Sequence, residues 1–153
     1  MLKIIADKLI HLENETAHDI KSGVLKDIQF KEEIFILIEV ENDEDNTLKI
    51  IFSTISDTLK NAFFNKENTL LAENIFENTL KEINEQCAEI QAESEKKIQI
   101  NAVIGVITKD NTLILTQSGG GEAYLIRKNK LNIISDSGTD TNKLSQEIFG
   151  SIA

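Results

Sequence analysis

The sequence predicts an α+β protein, with antiparallel β-sheets and an antiparallel helix pair packed on one face. Three observations predict it. Between Leu48 and Ile90 apolar residues recur at steps of three and four, while from Gln99 onward they fall into short strand-like runs. The runs of the second half are separated by a few turn residues, too few for the crossover that parallel strands need. With 153 residues, 41% of them hydrophobic and 27% charged, the chain has the length and apolar content for one domain with its own core.

The chain has no proline, so its turns and helix ends must be read from Gly, Asn and Asp. Leu2-Lys3-Ile4-Ile5-Ala6 is strand-like, followed by the apolar cluster Leu9, Ile10 and Leu12. Glu13 to Asp19 is polar and reads as a loop or turn. Gly23 to Ile28 reads as a short strand after it. Glu33 to Val40 (EIFILIEV) is the clearest strand of the first half. Its centre is a continuous apolar run, which predicts burial on both faces in the middle of a sheet. The cluster Glu41-Asn42-Asp43-Glu44-Asp45-Asn46 closes that strand and offers N-cap residues for a helix.

Two helices follow. The first carries the stripe Leu48, Ile51, Phe52, Ile55, Leu59, Ala62 and Phe63. The second carries Leu71, Ala72, Ile75, Phe76, Leu80, Ile83, Cys87 and Ile90. The short polar connection around residues 65–68 makes them antiparallel neighbours, each with one apolar face to lay on a sheet. Glu93 to Lys97 is the exit loop. Gln99 to Thr108, Thr112 to Ser118, Glu122 to Arg127 and Lys130 to Ser135 then read as four successive strands of a meander. Asp136 to Ser145 is polar and loop-like. The chain stops at Ile148-Phe149-Gly150-Ser151-Ile152-Ala153, the apolar beginning of an element, so residues 1–153 are expected to be one domain that continues beyond Ala153.

Charge and composition exclude several functions. A net charge of −10 suits nucleic acid poorly, because phosphate binding is driven by Lys and Arg displacing counterions. The nearest basic patch, Arg127-Lys128-Asn129-Lys130, reads as a charged hairpin tip. Cys87 is the single cysteine and lies on an apolar helix face, where it acts as a small hydrophobe, with Glu85 and Glu89 disfavouring a thiolate. His11 and His18, seven apart with no Cys nearby, read as surface residues rather than metal ligands. Met1 to Leu12 is broken by Asp7 and lacks a small-residue cleavage site, so it does not read as a signal peptide. No apolar stretch approaches the length of a membrane span. A cytoplasmic location is the expectation.

The order strand, helix, helix, meander resembles the core of the metal-dependent protein phosphatase 2C family. The likeness is strongest over Gly119-Gly120-Gly121-Glu122-Ala123-Tyr124-Leu125-Ile126-Arg127-Lys128-Asn129-Lys130-Leu131, where that family shows Gly-Asp-Ser-Arg-Ala-Tyr-Leu, then a charged hairpin, then a strand. Leu131 opens the next strand, Ala102 to Ile107 and Leu113 to Thr116 resemble the two strands ahead, and Ile83-Asn84-Glu85 resembles the second helix. The resemblance runs from about Phe35 to Ser137. It implies a two-layered phosphatase 2C-like α/β sandwich, of which this chain holds part.

The departures from the family pattern decide the chemistry it implies. These phosphatases hold two divalent cations, manganese or magnesium, on converging aspartates, and the metals activate a water for attack on phosphorus. The family's essential Asp, with Gly-Met-Gly-Gly after it, follows a central strand. Here the chain reads Glu39-Val40-Glu41-Asn42-Asp43. Gly120 replaces the aspartate of Gly-Asp-Ser and Glu122 the arginine. Arg127 is the only arginine, so the phosphate-binding Arg near the family's N-terminus has no counterpart. Glu39 and Glu41 read as strand-end carboxylates facing water, and the glycine triplet as a tight turn or bulge, since a strand rather than a helix follows it. No catalytic, cofactor-binding or metal-binding residue is therefore assigned. The expectation is a non-catalytic, pseudophosphatase-like module that binds a protein partner or phosphoprotein, with no metal cofactor. The alternative is a divergent metal-dependent serine/threonine phosphatase assembling manganese or magnesium on Glu39, Glu41 or Asp43 with acids further along the protein.

Overall fold

The computed structural model describes residues 18–27, 29, 31–41, 46–65, 70–94, 99–119, 124–127 and 130–133. Its elements are β1 (His18–Asp27), β2 (Glu32–Glu41), α1 (Thr47–Phe63), α2 (Ala72–Glu93), β3 (Ile100–Ile107), β4 (Leu113–Ser118), β5 (Tyr124–Arg127) and β6 (Lys130–Ile133). The first four strands form one sheet in the order β1-β2-β3-β4, with every neighbouring pair antiparallel. Strands β5 and β6 pair with each other as a separate two-stranded sheet.

Directly opposed residues of an antiparallel ladder share a face, so the register sorts the side chains into rows. One face carries Lys21-Ile38-Ala102-Ser118, Gly23-Ile36-Ile104-Thr116 and Leu25-Ile34-Val106-Ile114. Both helices lie on this face. Ile34, Ile36, Ile38 and Val40 of β2 and Ile100, Ala102, Ile104 and Val106 of β3 join Ile51, Ile55 and Leu59 of α1 and Phe76, Leu80, Ile83 and Cys87 of α2 in one buried cluster. The helices run antiparallel. Phe63 at the end of α1 meets Phe76 near the start of α2 edge to face, with ring centroids 6.3 Å apart. Earlier in α1, Thr58 donates its hydroxyl to Gln86, late in α2, at 2.9 Å.

β1 offers this core little apolar surface, and α1 fits itself to that. The Phe52 ring lies directly on Gly23, where an added Cβ would come within 2.8 Å of Cζ. The Lys21 ammonium sits 4.6 Å from the same ring centroid, an arrangement in which the cation meets the negative face of the ring.

The other face carries Val24-Phe35-Gly105-Leu115, Ser22-Leu37-Val103-Gln117 and Lys26-Glu33-Ile107-Leu113. It is apolar at its centre and partly open: Val24 is 45% exposed, and Leu37 and Leu113 are each 38% exposed. At its border Lys26 Nζ bonds Glu33 Oε1 at 3.0 Å.

Several expectations are corrected. His18 and Asp19 belong to a ten-residue strand rather than a loop, and the strand read from Gly23 is the second half of it. The strand forms because all ten residues find partners on β2, whose pull outweighs their own polar character. β2 is central but buried on one face only, since Leu37 and its row face outward. The continuous meander breaks after β4: β5 does not pair with it, and Gly119 leaves the strand at φ +79°. Helix α1 starts at Asn46, as the polar cluster suggested, but through a left-handed backbone and without a side-chain cap bond. The strand read over Leu2 to Ala6, and Asp43, Gly120, Gly121 and Glu122, lie outside the described residues, as does the chain after residue 133.

The turns follow local chemistry. After β1, the Gln29 N–H donates to Asp27 Oδ1 at 2.6 Å, and Lys31, at φ 58°, returns its N–H to the Asp27 carbonyl. After β3, Asn111 takes φ 63° and donates to the Thr108 carbonyl, in a turn that also pairs Thr108 N–H with Thr112 O at 2.9 Å. Asn is among the residues that tolerate this conformation best.

Candidate functional site

The antiparallel order gathers three strand ends at one border of the sheet: the end of β2, the start of β3 and the end of β4. Glu39 and Asn101 are register partners on the outer face, and Asn101 Nδ2 donates to Glu39 Oε2 at 2.9 Å. Gly119 lies against the same amide. A Cβ placed on it would stand 1.9 Å from Asn101 Oδ1, and its φ of +79° is one that L side chains rarely adopt. Asn101 Oδ1 is buried with no hydrogen-bond partner among the described residues. Glu39 and the first glycine of the triplet, far apart in the chain, thus meet through Asn101. Sequence reasoning missed Asn101. Its signal was a polar residue near the start of an otherwise apolar strand.

Glu41 ends β2 opposite His18 in the register. The Asn101 amide takes one of the several acceptor positions of the Glu39 carboxylate. No group of three or more His, Cys, Asp or Glu among the described residues is placed to hold a metal ion.

Clefts among the described residues lie elsewhere. One, of about 550 Å³, opens between the α1–α2 connection and the β3–β4 turn, lined by Glu32, Phe63, Leu71, Thr108, Lys109 and Asp110 among others. Burial pushes the Glu32 carboxyl above its usual range; Lys109 opposes this, while Asp27 and Asp110 add to it. The Asp110 carboxyl is instead held below its usual range, first by the hydroxyl of Thr108. The second cleft, of about 490 Å³, runs along the helix pair between Asp57, Thr58, Glu82, Gln86, Glu89 and Glu93. There Gln86 Nε2 bonds Glu82 Oε1 at 3.1 Å.

Ser56 is 4% exposed and Cys87 is fully buried. The Cys87 thiol is pushed up to about 11, and burial is the cause, rather than the Glu85 and Glu89 carboxylates.

Fold and site together define a small α+β protein with a helix pair on one face of an antiparallel sheet and a polar corner at one end of the other. Among known protein families, curated proteins and solved structures, none matches the chain. Among the described residues no helix is long and apolar enough to cross a membrane.

Proposed function

We propose that this chain is a non-catalytic, phosphatase 2C-like module that works in the cytoplasm by binding a protein partner or phosphoprotein. The observation that carries the reading is the 2.9 Å bond from Asn101 Nδ2 to Glu39 Oε2. The bond uses one acceptor position of the Glu39 carboxylate within the sheet and ties it to β3, as a structural side chain is tied. The remaining lone pairs are what a metal titration probes. Gly119 supports the same reading: its left-handed backbone and its closeness to Asn101 are what a structural turn requires. A buried free thiol and a chain with a single cysteine suit a reducing compartment.

Calorimetric titration with manganese and magnesium, run beside para-nitrophenyl phosphate turnover in manganese, tests the proposal. The expected result is no saturable two-site binding and no turnover above that of a Glu39→Ala variant. Tight two-site binding, or manganese-dependent turnover lost in Glu39→Ala, overturns it in favour of a divergent phosphatase.

A further inference from the structure

No further inference is drawn: the strongest candidate, the apolar outer face of the four-stranded sheet around Val24, Leu37 and Leu113, carries nothing because nothing in the described residues shows what covers it.

Discussion

Gly119 is held by two independent constraints, and they separate by mutation. Gly119→Ala must accept both a positive φ and a Cβ pressed into the Asn101 amide, a combined cost of roughly 1–3 kcal/mol or more. In an Asn101→Ala background the clash with Oδ1 and Cγ disappears, leaving the dihedral cost and a tight 3.1 Å contact with Cβ, so the second substitution should cost clearly less there. Urea midpoints of the four proteins check this; equal costs in both backgrounds would show that Asn101 does not press on the turn. Glu32 and Asp110 predict opposite pH behaviour from neighbouring positions in one cleft. The raised Glu32 carboxyl binds its proton more tightly in the folded state. Its contribution is therefore full below the usual carboxylate pKa and is lost as pH rises through the raised value. Glu32→Gln should be more stable than the parent at neutral pH, with the gain shrinking toward zero near about pH 3. Asp110, held low by Thr108, contributes above its usual pKa and loses that contribution as pH falls. Asp110→Asn should accordingly be less stable at neutral pH and converge with the parent in acid. Denaturation midpoints at several pH values read both signs in one series.

At the scale of elements, β2 decides how far the sequence was legible. The run from Ile34 to Ile38 contains no polar residue, so composition alone cannot tell a strand buried on both faces from one buried on a single face. The helix pair resolves it, because both stripes cover the Ile34-Ile36-Ile38 face and leave Phe35 and Leu37 to the other. Adjacent residues then differ sharply. Ile36→Ala, at a site 2% exposed, should cost about 2–5 kcal/mol. Leu37→Ala, at a site 38% exposed, should stay below about 1.5 kcal/mol because more than a third of its surface never left water and the site is open enough to leave no closed cavity. Similar costs at both sites would mean that the outer face is as well covered as the inner one. The helices were legible except at one end, since a stripe at steps of three and four has few alternative readings: Leu71, read as the first residue of the second stripe, is the N-cap of α2 and 71% exposed. β1 was not: HDIKSGVLKD has weak periodicity, and pairing with β2 is what makes it a strand. The polar corner was half legible. Glu39 and the glycine triplet stood out by comparison with a family pattern, but Asn101 lies 62 residues from Glu39 in the chain, and only the cross-strand register brings them together.

For the whole molecule, the break after β4 was the feature that strand spacing could not supply. Short connections predict antiparallel neighbours, yet the link from Ser118 to Tyr124 begins with a left-handed glycine, and β5 pairs forward with β6 instead of back with β4. What unites the four-stranded sheet and the helices is the single cluster that contains Cys87, and this makes the lone thiol a reporter of global opening. At neutral pH a thiol with a pKa near 11 is ionised in roughly one molecule in ten thousand, and the thiolate is the reactive form. Full burial blocks access as well. Labelling of the native protein by an aromatic disulfide should therefore require α2 to leave the sheet, with a rate set by the population of the open state when reclosing is fast. Ile36→Ala should then accelerate labelling by roughly 30-fold to 4,000-fold, the range its destabilisation converts to at tenfold per 1.4 kcal/mol. Leu37→Ala should accelerate it by about tenfold or less. If Ile36→Ala left the rate unchanged while lowering the urea midpoint, Cys87 would be reached by a local opening of α2. The helix pair and the sheet would then not form one cooperative unit.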